Sequence, residues 1–133
     1  MPVQYTSIVA EHQATRKAVG LFDISHMGRL EIYGPAATAT LDRLLTRRIT
    51  DMKLGQIRYS LVCNEAGGIL DDVLVYRLTE DRDRAPSYTL VVNASNREKI
   101  VHWLKQHRDK DTQFEDRTLS QAMVAVQGPR AVE

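Results

Sequence analysis

A single cysteine, Cys63, stands in the whole chain, so no disulfide framework can staple the fold, and a reducing compartment and a cytoplasmic location are expected. No apolar run approaches the length of a membrane span, and the N-terminus lacks the basic and apolar regions of a signal peptide, so no membrane partner is expected. An excess of charge of either sign is also missing. Lys plus Arg number 18 and Asp plus Glu 17, a formal net charge of +1, which gives no field for nucleic acid or anionic lipid. Histidines are scattered: His12, His102 and His107 fall on expected helices, His26 stands apart, and none has metal-ligand spacing to another His or Cys. No metal site is expected.

What is present fits an ordinary globular chain. The 133 residues suffice for one domain with a real core, and 26% charged with 43% hydrophobic residues argues against disorder. The stretch Asn64-Glu65-Ala66-Gly67-Gly68-Ile69-Leu70-Asp71-Asp72 stands out, because a glycine turn delivers two adjacent carboxylates into what reads as a buried strand. The flanking runs, Ile57 to Cys63 and Ile69 to Leu78, are rich in branched and aromatic residues, and Gly67-Gly68 supplies the positive φ of a tight reversal. With a four-residue loop, Cys63 faces Leu70, Leu61 faces Asp72, Tyr59 faces Leu74 and Ile57 faces Tyr76. Side chains alternate along a strand, so Tyr59, Asp72, Leu74 and Tyr76 share one face and Asp71 takes the other. A loop one residue shorter or longer would reverse that relation. A carboxylate among Leu61, Leu74 and two tyrosines has a raised pKa or a partner that rewards its charge, whereas an Asp beside a glycine turn is otherwise a wet turn former.

Along the chain, apolar residues at Ile8, Val9, Ala14, Ala18 and Val19 predict an amphipathic helix stopped by Gly20. Leu21 to Gly28 mixes alternation with turn formers and is left unassigned. A strand over Arg29 to Tyr33 ends at Gly34-Pro35, which opens a helix striped by Ala37, Leu41, Leu44 and Leu45 and closed by Arg47-Arg48. Thr79 to Ser87 reads as an exposed polar loop, and Tyr88 to Asn93 as a central strand. A helix over Arg97 to about His107 turns Ile100, Val101, Leu104 and Trp103 inward, with Ser95 and Glu98 at capping-box spacing. Thr112 to Asp116 predicts an edge strand and Met123 to Gln127 a last buried one.

That last strand runs into Gly128-Pro129, so Leu30 to Ala37 and Val124 to Ala131 share one pattern of strand, Gly-Pro and helix start. It is a short internal repeat, with a second copy beginning over 122–133. The element order predicts an α+β fold, a mostly antiparallel sheet with helices packed on one face.

Leu21 to Gly28 (LFDISHMG), Tyr59-Ser60 with Asn64 to Asp72, Val91 to Asn96 (VVNASN) and Val126 to Pro129 together resemble the N-terminal part of the glycine cleavage system T-protein, the aminomethyltransferase family. The similarity covers nearly the whole chain. It implies that residues 1–133 form an N-terminal folate-binding domain, the first domain of the T-protein fold, from longer proteins that extend beyond both ends. It implies a reaction in which the aminomethyl group on the dihydrolipoyl arm of the H-protein passes to tetrahydrofolate, giving 5,10-methylenetetrahydrofolate and ammonia. Carried over by motif, Asp72 matches the acid beside the reacting folate nitrogen, Met27, Tyr59 and Tyr76 match residues lining the folate pocket, and Asn93 matches a polar residue near the reacting end. Asp72 is then the catalytic candidate, and face parity had already separated it from Asp71.

The ordinary reading of each residue is core filler for Met27, cross-strand packing for Tyr59 and Tyr76, and a turn or cap for Asn93. The family's remaining folate contacts, a Glu, an Arg and further tyrosines, have no counterpart in these residues. The chain alone is therefore expected to bind folate weakly, to be inactive, and to self-associate through apolar surface. Two other classes compete with the transferase: a folate-binding scaffold of the same superfamily, of the iron-sulfur assembly or sarcosine and dimethylglycine oxidising type, and an α+β interaction module with no ligand.

Overall fold

The computed structural model describes residues 3–78 and 85–133, so most of the polar loop expected over 79–87 lies outside the described residues. The chain divides into two compact units, Met1–Ser25 with Ala122–Glu133, and His26–Gln121.

The larger unit is built on a five-stranded sheet. Its strands are β2 (Gly28–Tyr33), β3 (Gln56–Cys63), β4 (Ile69–Arg77), β5 (Ser87–Val92) and β6 (Gln113–Asp116), in the order β3-β4-β5-β2-β6. Every pairing is antiparallel. β5, the run richest in branched residues, is central, and β6 is an edge. Helices α2 (Ala37–Leu44) and α3 (Arg97–His107) cover one face, so the α+β class with helices on one side of an antiparallel sheet holds. The core between them takes alternate residues of each strand: Leu30 and Ile32, Val62, Val73 and Val75, Tyr88, Leu90 and Val92, against Ala37, Leu41, Ile100 and Leu104. Each such aliphatic side chain stabilises by roughly 1.5 to 3 kcal/mol on burial, so this face holds the unit together.

Three local expectations need correction. Asp72, Tyr59 and Ile57 lie on the face that the helices do not cover, and Asp72 is exposed rather than buried; Asp71 occupies the core face. No capping box forms among the described residues: Ala94–Asn96 makes a single 3-10 turn, and Asn96, at the N-cap of α3, makes no side-chain cap hydrogen bond. The helix gains its position from Ile100 and Leu104, which are buried, so the cap is dispensable. The strand expected as a buried one is largely exposed.

That strand, β7 (Val124–Gln127), belongs to the smaller unit, where it pairs antiparallel with β1 (Gly20–Asp23) beside α1 (Ile8–Lys17). The stretch left unassigned thus supplies a strand and a turn, in which Asp23 Oδ1 accepts from the Ser25 N–H at 2.8 Å. The two Gly-Pro segments make the same turn. Gly34 and Gly128 have φ of +117° and +131°, and a Cβ on either would meet a backbone carbonyl at 2.4 Å, Asp111 O and Ala18 O respectively. The amide two residues on donates to that same carbonyl in each case, Ala36 to Asp111 and Arg130 to Ala18. Only glycine fits so close a backbone approach.

Candidate functional site

All five residues singled out from the sequence lie in the larger unit. The site begins with the turn Asn64 to Gly68. Asn64 Oδ1 accepts from the N–H groups of Ala66 (3.1 Å) and Gly68 (2.7 Å), and Gly67 takes a φ of +80°. This side-chain mimicry of a backbone turn fixes where β4 starts. The expected register holds from Ile57–Tyr76 through Tyr59–Leu74 to Leu61–Asp72 and Val62–Asp71, but Cys63 pairs with Ile69 and Leu70 is left as a bulge. The bulge accounts for the odd residue between turn and strand, and so sets which acid takes which face.

The two acids have opposite surroundings. Asp71, 3% exposed, lies on the core face, where its carboxylate accepts from the Asn93 backbone N–H (2.9 Å), Asn93 Nδ2 (2.9 Å) and Asn96 Nδ2 (2.6 Å). A carboxylate can be buried only if it is satisfied in this way. Asp72 opens onto the uncovered face. Its Oδ2 accepts from the Tyr59 hydroxyl at 3.1 Å and its Oδ1 from Asn93 Nδ2 at 2.7 Å. Tyr59 and Asp72 are diagonal neighbours on that face, within reach of a long aromatic side chain. The hydrogen bond to Asp72 raises the Tyr59 phenol above its usual range, with desolvation and the charges of both acids acting the same way. Burial likewise raises that of Tyr76, which stands four residues along β4 on the Asp72 face.

Tyr59, Asp72 and Asn93 are thus brought into direct contact, and Tyr76 shares their face without touching them by any hydrogen bond described. Met27 precedes Gly28, which pairs with Val92, so it lies at the end of the sheet where Asn93 follows Val92. Its carbonyl accepts from Arg29 NH1 at 2.7 Å. Arg29 is itself buried, with its NH2 held by the carbonyls of Thr118 and, at 2.7 Å, Gln121, so the backbone at Met27 is tied to the segment after β6. Sequence reasoning missed Asn96; its spacing three residues after Asn93, one 3-10 turn, was the available signal. Among the described residues no group of three or more His, Cys, Asp or Glu is placed to hold a metal ion.

An exposed sheet face that carries two tyrosines and a carboxylate with two donors already fixed suits a flat ring bearing N–H groups. The family model described as the GCVT N-terminal domain matches residues 1–133. The chain belongs to this family. Among relatives, the GCVT N-terminal domain seen here is 46% identical over 132 residues to an aminomethyltransferase of Chloroherpeton thalassium, and 42% identical over 131 residues to an aminomethyltransferase of Bacillus subtilis. Each alignment covers 98% of this chain and 35% of the relative, so the chain spans about a third of the length of the curated relatives it matches. The crystal structure of glycine cleavage system aminomethyltransferase T from Bartonella henselae superposes with a TM-score of 0.86 at 37% identity, over 98% of this chain and 35% of that one. No helix of this GCVT domain, among the described residues, is long and apolar enough to cross a membrane.

Proposed function

We propose that the protein containing these residues is a tetrahydrofolate-dependent aminomethyltransferase of glycine cleavage, taking the aminomethyl group from the dihydrolipoyl arm of the H-protein and releasing ammonia and 5,10-methylenetetrahydrofolate. The observation that carries the reading is the triad of contacts Tyr59–Asp72–Asn93 on an uncovered face, in a chain whose relatives bear the name aminomethyltransferase. Those names favour transfer over the scaffold and interaction readings.

The donor set fits folate. Tetrahydrofolate, when bound, supplies the nitrogen that takes up the one-carbon unit. The rings of Tyr59 and Tyr76 offer stacking surface for a flat heterocycle, and Met27 an adaptable apolar contact at the end of the sheet where Asn93 stands. Asp72 offers oxygen acceptors held by Tyr59 and Asn93, so it can accept a proton from a reacting amine and stabilise positive charge that develops as ammonia leaves. Because Tyr59 and Asn93 already orient the carboxylate, little reorganisation is needed at the moment of reaction.

The test is to supply aminomethyl-loaded H-protein and tetrahydrofolate to the protein containing these residues and to measure ammonia and methylenetetrahydrofolate. Transfer that Asp72→Asn slows by about 10³-fold is expected. Folate binding with no transfer would give the reading up in favour of the scaffold, and no binding would sink both. Residues 1–133 alone, with the Asp72 face open to water, are expected to bind 5-formyltetrahydrofolate weakly and to turn over nothing.

A further inference from the structure

We infer that Asp71 and Asn96 are positioning residues for the reaction proposed above, acting through Asn93 rather than on the substrate. The inference rests on that reading of Asp72, but its geometry is independent of it. Asn93 Nδ2 carries two hydrogens and faces three acceptors: Asp71 Oδ1 at 2.9 Å, Asp72 Oδ1 at 2.7 Å and the Asp72 carbonyl at 3.1 Å. Rotating the amide by half a turn would point its oxygen at two carboxylates, so the orientation is fixed by the acids themselves. Of the two, Asp71 is the one held by three donors. It is buried, and its Oδ2 takes the Asn93 backbone N–H while its Oδ1 also takes Asn96 Nδ2.

The chain of contacts therefore runs from the helix side of the sheet to the open side. Asn96, in the 3-10 turn before α3, steadies Asp71; Asp71 grips both the backbone and the side chain of Asn93; Asn93 donates to Asp72. With Nδ2 committed to the acids, Oδ1 is the Asn93 side-chain atom that no hydrogen bond engages among the described residues, an acceptor suited to an N–H beside Asp72. The absence of a capping bond at α3 has its reason here, because the Asn96 side chain points to Asp71 instead of to the helix N–H groups.

The decisive measurement is a double-mutant cycle in the protein containing these residues. Asp71→Asn and Asn96→Ala are each made alone and in an Asn93→Ala background, and kcat, KM and the unfolding midpoint are followed. Asp71→Asn is expected to lower kcat by about 10- to 100-fold, and Asn96→Ala by less, because misplacement of a group that orients the reacting residue is felt at that scale. Neither is expected to lower kcat further once Asn93 is Ala. Additive losses would overturn the inference, since a merely structural role does not pass through Asn93. Should Asp71→Asn fail to fold, Asn96→Ala, which keeps both acids, decides alone. The Asn93 side-chain amide resonances, assigned by their loss in Asn93→Ala, give a readout free of activity. Their displacement in Asn96→Ala supports the anchor, and unchanged resonances sink it, whether or not the protein transfers aminomethyl groups; absence of transfer in the parent sinks only the functional reading.

Discussion

At the scale of single residues, two neighbouring aspartates divide structure from chemistry because a strand alternates its faces. Asp72→Asn keeps the shape and the Tyr59 contact but removes the charge, so turnover in the enzyme is expected to fall about 10³-fold, a general acid-base loss, with little change in the unfolding midpoint. Asp71→Asn places an amide where three N–H donors converge, and one of them then faces another N–H. It is expected to lower stability by about 1 to 3 kcal/mol and turnover less than Asp72→Asn does. Equal effects on turnover would contradict the assignment of faces. Tyr59 supplies a test by spectroscopy. Its hydrogen bond to Asp72 raises the phenol above its unfolded value, so the contact stabilises fully below pH 10 and is lost as pH rises through the folded value. In phenolate absorbance Tyr59 should ionise later than ordinary tyrosines, and earlier in Asp72→Asn than in the parent; an unchanged titration would mean the contact is not made in solution. The pairing that sets Asp72 on the Tyr59 face needs the Leu70 bulge as well as the hairpin, so only the opposition of the two acids could be read from alternation. The burial of Asp71 could not, because which face the helices cover depends on contacts between distant segments, and the role of Asn96 depends on a turn that a capping-box pattern concealed.

Secondary elements were legible to the degree that their signals are local. The Gly67-Gly68 hairpin, the central β5 and the stripes of α2 and α3 follow from turn residues and periodicity, whereas the Leu70 bulge adjusts to pairing with Cys63 and leaves no mark of its own. β1 was obscured because its partner β7 is about a hundred residues away in the chain. Two glycines separate the kinds of local constraint. Gly67→Ala meets nothing within 4 Å and carries only the strain of positive φ, about 1 kcal/mol. Gly34→Ala suffers the same strain and also drives a methyl group into the Asp111 carbonyl at 2.4 Å. It should cost about 2 kcal/mol or more. Urea unfolding with an unchanged slope would measure both, and a Gly34→Ala midpoint no lower than that of Gly67→Ala would refute the close approach.

Across the whole molecule the two units differ in what holds them. In the larger unit, eight strand residues and four helical ones, joined by Leu45, Ile49 and Met52, form a buried cluster; in the smaller, α1 has no buried residue and one pair of strands forms the sheet. A two-stranded sheet is marginal in water. Backbone amides of β1 and β7 should therefore exchange faster than those of β2, β4 and β5, each unit opening on its own terms. The same contrast bears on association. Ile8, Val9, Leu21 and Phe22 are exposed in the smaller unit, as are Val124 and Val126 of β7, and Leu21, Val124 and Val126 share one face of the two-stranded sheet, an apolar surface that favours association. Residues 1–133 on their own should self-associate as concentration rises, seen as an increasing molecular mass in solution scattering. Val9→Lys with Leu21→Glu places charge on that surface without touching the core of His26–Gln121, so it should restore the monomer while leaving the unfolding midpoint of the larger unit in place. A parent that stays monomeric at high concentration would show that these side chains find cover within the chain, and the association argument would fail.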